Sequence, residues 1–212
     1  MKSVLISIRP KRCEKICHEI GKDENGKPIY EKRIEVRKSA PKEVPFKVYI
    51  YCTKEKPFIQ KIRFSDIPIS HTQISKNLYN GKVIGEFVCY CIDRVEIVTS
   101  ITADYIQVNG KRTSTTTKDS CLSFDELQKY TDGKPVYGWH ISDLKIYDKP
   151  KELCEFRACN FKSMNGTDVC GNYDCKYYQD SGSYMIPPSC AKNGCIITRP
   201  PQSYMFVEEV EQ

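Results

Sequence analysis

The sequence predicts an α+β protein: a small mixed β-barrel with two short helices, followed by an irregular Cys-rich extension. Three observations lead there. Apolar segments are short and strand-like, with two helical patches and no regular strand–helix alternation, which excludes a doubly wound sheet. The texture changes at Pro150, after which residues 151–203 are rich in Cys, Gly, Asn, Ser and Pro with little periodicity. Cysteine is spread unevenly: of 12 in the chain, Cys154, Cys159, Cys170, Cys175, Cys190 and Cys195 all fall beyond residue 150. The expected division is therefore 1–150 for the barrel and 151–212 for the extension, whose segment PPQSYMFVEE returns to the main body as a final strand.

The elements follow in order. Val4–Ile8 reads as a short buried strand. Pro10 suits the first turn of a helix whose residues Cys13, Ile16, Cys17 and Ile20 share one face at i, i+3, i+4 and i+7. Gly21 ends it, and residues 21–30 are dense in turn formers, an exposed loop or hairpin tip. EKRIEVRK is a strand. FKVYIYCT, at Phe46–Thr53, has the β-branched and aromatic content of a central strand. Residues 57–80 carry no clear element. Lys82–Ser100 is the longest strand-like run, with Gly85 marking a bulge. Asn109-Gly110 signals a tight hairpin within residues 101–117. Ser123-Phe-Asp-Glu126 is a capping box that opens a helix to about Tyr130, stopped at Asp132-Gly133. Val136–Tyr147 returns to strand.

Charge and targeting narrow the function classes. The chain has 33 Lys+Arg against 27 Asp+Glu, a formal +6. Residues 1–38 hold eleven basic and six acidic side chains, a local +5, which favours an anionic partner such as RNA or a nucleotide; a lysine-rich solubility surface is the plain alternative. No apolar run approaches the roughly 18 residues of a membrane helix, so no membrane partner is expected. MKSVLISIRPK lacks the apolar core of a signal peptide, so the expected location is the cytoplasm. A secreted disulfide framework normally belongs to a short chain behind such a signal. Cys13, Cys17, Cys52, Cys89, Cys91 and Cys121 sit within apolar segments and read as packing residues. The C-terminal six read as ligands: Cys170/Cys175 and Cys190/Cys195 are pairs with four intervening residues, the permissive edge of zinc spacing. Residues 151–212 contain no His, so a zinc there would be structural.

Within KRIEVRK, strand alternation sets Arg33, Glu35 and Arg37 on one face and Lys32, Ile34, Val36 and Lys38 on the other. Ile34 and Val36 are expected to face the core, with Lys32 at the mouth of the barrel. A solvated strand face of cross-paired charges is the competing reading. Trp139 offers an indole on which a base could stack, or else fills the core; His140 points to the opposite face. His18, His71 and His140 read as structural.

The order of apolar strand, helix and KRIEVRK, followed by Gly85-Glu86-Phe87 and then YGWHISDLKIYDKP, resembles the ASCH domain of the PUA-like superfamily over roughly residues 1–150. The resemblance implies a small β-barrel linked to RNA and modified nucleosides, with Lys32, Glu35 and Arg37 at the motif positions and Trp139 at the late-strand Trp. It carries two departures: Tyr30 replaces the motif Gly and Arg33 stands where Thr is common. Some members are amidohydrolases of an acetylated cytidine that use a Lys, a Thr three residues later and a Glu on a following strand; here those positions are Lys32, Glu35 and Glu86. The Thr nucleophile is missing. Lys32 with two carboxylates could still do acid–base work, as an amidohydrolase or a ribonuclease. Similar phage and Firmicute proteins carry three early Cys and one later before a Pro-Pro-Gln-Ser stretch, which implies Cys159, Cys170, Cys175 and Cys190 as zinc ligands, with Cys195 the substitute. The primary expectation is an RNA- or modified-nucleotide-binding module. A phage-encoded protein that binds and inhibits a host nucleoprotein ranks last.

Overall fold

The computed structural model describes residues 2–54, 81–158, 161–164, 167–170, 178–180, 182, 189–190 and 195–209. From the first residues, β1 (Ser3–Ile8) leads into α1 (Pro10–Cys17), a hairpin of β2 (Glu19–Lys22) and β3 (Pro28–Tyr30), then β4 (Ile34–Arg37) and β5 (Phe46–Cys52). After them come β6 (Val83–Cys89), β7 (Ile92–Val98), β8 (Tyr105–Val108), β9 (Lys111–Arg112), α2 (Thr115–Ser120) and α3 (Phe124–Thr131). The chain continues through β10 (Val136–His140), β11 (Ser142–Lys151), a 3₁₀ turn (Leu153–Glu155) and β12 (Phe156–Ala158). Short strands follow: β13 (Phe161–Met164), β14 (Thr167–Cys170), β15 (Tyr178–Gln179), β16 (Ser189–Cys190), β17 (Cys195–Ile196) and finally β18 (Tyr204–Glu209). The unassigned stretch at 57–80, with His71, lies outside the described residues.

Two sheets dominate. One has the order β11-β6-β5-β1-β18-β12-β17, the other β4-β10-β7-β8-β9. The first hydrophobic strand is central: β1 pairs parallel with β5 and antiparallel with β18. The expected closed barrel is corrected to this extent, that the described strand pairings leave the two sheets separate. They meet at a corner instead. The run 82–100 is two strands, β6 and β7, which lie in different sheets; 136–147 likewise splits at Ile141 into β10 and β11. The two bent strands turn side by side, with Trp139 opposite Ile92 before the corner and Ser142 opposite Val88 after it. Strands that switch sheets in this way are the usual makers of orthogonal corners. The sequence hides such a bend because strand-forming residues continue through it on both sides, with no Gly or Pro at the corner itself.

Gly85 lies where β6 is irregular between its pairings to Ile50 and Tyr51. A Cβ there would stand 2.4 Å from the Lys145 carbonyl oxygen, so the two backbones can approach this closely only with glycine. Side chains of β1 and β5 alternate between two cores, as the strand period requires. Val4, Ile6, Val48 and Ile50 pack with Trp139 and Phe87 on one face, and Leu5, Tyr49 and Tyr51 with Tyr147 and Phe156 on the other. A third core lies under α3, joining Ile34, Val36, Val95 and Leu127.

Helix boundaries show local competition. The α3 capping box forms as expected: Glu126 N donates to Ser123 Oγ at 3.2 Å and Ser123 N to Glu126 Oε2 at 3.0 Å. Helix α1 stops at Cys17, short of Ile20, because the returning chain takes its end: Glu31 N donates to the His18 carbonyl and Lys32 N to the Lys15 carbonyl. Ile20 is thereby left 58% exposed in β2. Helix α2, TTTKDS, is additional to the two expected, since Thr, Ser and Asp compete with the helical backbone and give little signal in sequence. It ends where Cys121 turns left-handed, at φ 54°. Among the described residues, no helix is long and apolar enough to cross a membrane.

Candidate functional site

The chain that leaves β3 is pinned at three consecutive backbone groups. Lys32 N donates to Lys15 at the end of α1, Arg33 N to Asp119 on α2, and Arg33 accepts from Ile141 N at the sheet corner. This anchoring takes Lys32 out of strand alternation, and its side chain joins Glu35 instead of lying with Ile34 and Val36. All four residues of β4 are buried. Ile34 and Val36 serve the core under α3, and Glu35 and Arg37 turn the other way. The expected solvent-facing polar side is thus a second buried side.

Among the described residues these three are the buried charged side chains: Lys32 is 3% exposed, Glu35 5% and Arg37 7%. Lys32 Nζ stands 2.6 Å from Glu35 Oε2, and Arg37 Nη1 3.3 Å from Glu35 Oε1. The Lys32 approach is an ion pair rather than an aligned hydrogen bond, so Oε2 keeps its accepting capacity. Arg37 also donates to the Ser7 carbonyl at 3.0 Å and to the Ser203 carbonyl. Its guanidinium therefore bridges the edge of β4 to β1 and to the chain entering β18, where no backbone ladder runs. Buried charges persist only when paired in this manner. Two cations on one carboxylate leave the group net positive.

These residues line a cavity of about 830 Å³ bounded by α1, β4, α3 and residues Gln202–Ser203. Its lining has six basic side chains, Arg9, Arg12, Lys32, Arg37, Lys38 and Lys129, against Glu35 and Glu126. Arg9, Lys38 and Lys129 are exposed at the mouth, and Lys32, Glu35 and Arg37 are buried at the floor. Arg12 is engaged with Glu126 at 2.7 Å, and that carboxyl is held below its ordinary value chiefly by the Ser123 backbone N–H. Lys38 lies over the Tyr130 ring, 5.5 Å from its centroid; burial pushes the Tyr130 phenol up. The floor offers a carboxylate acceptor between two cationic donors, and the mouth offers positive charge for an anion.

Glu86 is elsewhere. It lies opposite Tyr49 across β5 and β6, accepts from the Tyr147 hydroxyl at 2.6 Å and pairs with Lys47 at 3.3 Å. Tyr49 and Tyr147 belong to one face of the long sheet, whereas Trp139, the cross-strand partner of Glu35, belongs to the other. Burial pushes Glu86 up, but the Tyr147 hydroxyl and Lys47 outweigh it and leave its carboxyl below the ordinary value. The pairing of Lys32 with Glu86 that acid–base work required is therefore not formed.

Trp139 resolves to the core. It is 0% exposed, edge-on to Phe46 at 5.1 Å and to Tyr204 at 5.6 Å. With no face presented to solvent it cannot stack a base. His140 pairs with Asp93, and His18 with Glu31. Arg9, Arg12 and Lys38 were missed individually, although the basic excess of residues 1–38 contains them. Lys129 and Tyr130 reach the cavity only through the docking of α3, for which the sequence holds no signal. Of the proposed zinc ligands, Cys159 and Cys175 lie outside the described residues, while Cys170 and Cys190 end β14 and β16.

No family model matches the chain, and no curated protein matches it. Among solved structures, the chain is similar to the ASCH protein of Zymomonas mobilis: 16% identity over 72% of this chain and 74% of that one, with a TM-score of 0.40. A Tyr-to-Phe variant of that protein gives 15% identity, 72% and 77% coverage and a TM-score of 0.41.

Proposed function

We propose that the chain binds RNA or a modified nucleotide in the Lys32–Glu35–Arg37 cavity, as a module of the ASCH type. One observation carries this reading: a nucleotide-sized cavity with a basic mouth and a buried Lys–Glu–Arg floor. Its volume lies within the roughly 300–1,000 Å³ of small-ligand sites. The mouth residues Arg9, Lys38 and Lys129 suit phosphate. The floor suits a base edge, with Glu35 accepting an N–H and the cations donating to a carbonyl oxygen. A carboxylate where a hydroxyl nucleophile would stand, with Glu86 on another face, favours binding over hydrolysis.

The test is fluorescence anisotropy with single-stranded RNA over a salt series. Affinity is expected to fall with salt through counterion release, and Arg9→Ala/Lys38→Ala/Lys129→Ala is expected to flatten the log–log slope by about 0.7 for each phosphate left without a cation, the single-strand value. Failure to bind at low salt, or an unchanged slope in the triple variant, would reject the reading.

The extension is read as holding a structural zinc at Cys159, Cys170, Cys175 and Cys190, with Cys195 the substitute. Supporting this, besides spacing, β14 and β16, which end in Cys170 and Cys190, lie in contact. Closing a segment with little core of its own would supply its folding free energy. Elemental analysis of freshly purified Cys91→Ser protein is expected to find one zinc per chain, and a metal-free result would remove the site.

A further inference from the structure

Far from the extension, the sheet corner gathers three residues of metal-binding type. Cys91 precedes β7, Asp93 is its second residue and His140 ends β10, and their ligating atoms all lie within 4.8 Å of one another. The backbone fixes this meeting: Asp93 is opposite Gly138, and His140 N donates to the Cys91 carbonyl at 3.1 Å. We propose that Cys91, Asp93 and His140 bind one divalent transition-metal ion, Zn²⁺ by preference, with a fourth position open to solvent.

The donor set decides the kind of ion. A thiolate beside an imidazole suits zinc or cobalt, whereas magnesium and calcium require oxygen ligands. Zinc bonds of about 2.0–2.3 Å at tetrahedral angles place ligand atoms roughly 3.3–3.6 Å apart, so modest side-chain rotations close the present arrangement onto an ion. His140 Nε2 already faces Asp93 Oδ2 at 2.7 Å, and a cation between them would replace that one contact with a metal bond to each. Asp93 is held from behind. Its Oδ1 accepts from Asn109 Nδ2 at 2.7 Å, and Asn109 Oδ1 accepts from Arg94 N at 2.8 Å. Such outer contacts orient metal ligands and sharpen affinity. Cys91 is exposed and the other two are half-buried, so the ion has access.

Co²⁺ titration of the full-length protein tests this, because the chain's single tryptophan, Trp139, immediately precedes His140. Bound cobalt is expected to quench Trp139 emission and to add a thiolate-to-cobalt charge-transfer band. Cys91→Ser should remove one equivalent of that band, leaving only what the C-terminal cysteines contribute. Asp93→Asn and His140→Asn should abolish the quenching. Asn109→Gly, which retains the left-handed turn at φ 48°, should weaken binding ~10–100-fold. No quenching in the wild type, or equal stoichiometry and quenching in wild type and Cys91→Ser, would overturn the site.

Discussion

Replacing Glu35 with alanine is expected to destabilise the protein by about 3–5 kcal/mol, because it strands two cations that share that carboxylate. Lys32 and Arg37 are nearly sealed from solvent, and their like charges would then face each other unscreened. Arg37 would keep its carbonyls at Ser7 and Ser203, whereas Lys32 would lose its only ion-pair partner among the described residues. Urea unfolding measures the effect. The double variant Lys32→Met/Glu35→Leu should recover part of the loss, since well-packed apolar groups often replace a buried pair at little cost while Arg37 keeps only its two carbonyls, yet it should not recover RNA binding. A midpoint in Glu35→Ala close to that of the wild type would show that the three charges are solvated and that the cavity floor is open to water.

The second large effect is expected for Trp139→Ala, again about 3–5 kcal/mol, from reduced burial and an unfilled cavity. Trp139 occupies the centre of the core between the sheets, against Phe46 and Tyr204, and its strand holds β4 on one side and β7 on the other. The ring thus supports the strand that carries Glu35 and Arg37, so RNA affinity should fall with stability although no base touches it. Trp139→Phe, which keeps an edge-to-face partner, should cost less in both measurements. If Trp139→Ala unfolds normally but loses RNA binding outright, the ring contacts ligand and its assignment to the core is wrong.

What could be read from the sequence divides by range. The strand of Val4–Ile8, the Ser123 capping box, the Asn109-Gly110 hairpin and the irregularity at Gly85 were legible because each rests on neighbours within a few residues. The grouping of Lys32, Glu35 and Arg37 came only from the resemblance, since strand alternation set Lys32 apart from the other two. Alternation assigned Lys32 to the side of Ile34 and Val36, and it took backbone bonds to Lys15 and Asp119 to move it. The placing of Glu86 was illegible because it depends on which face of β6 looks toward Trp139, and a bulge resets that parity. The corner at residues 90–91 left no trace because Tyr90 and Cys91 carry no turn signal between two strand-like segments. The cluster of Cys91, Asp93 and His140 exists only because two distant strands bend side by side there.

The position of β18 governs the order in which the molecule can assemble. Val4 lies beside Phe206 and Leu5 beside Met205, pairings separated by roughly 200 residues, and closing so long a loop is slow. On the ribosome, β1 is flanked early by β5, but its other edge stays unpaired until β18 has been made. During that interval the edge is an open template for another nascent chain. Vectorial synthesis therefore exposes this protein to chaperone capture, or to misassembly, at the central strand of its larger sheet.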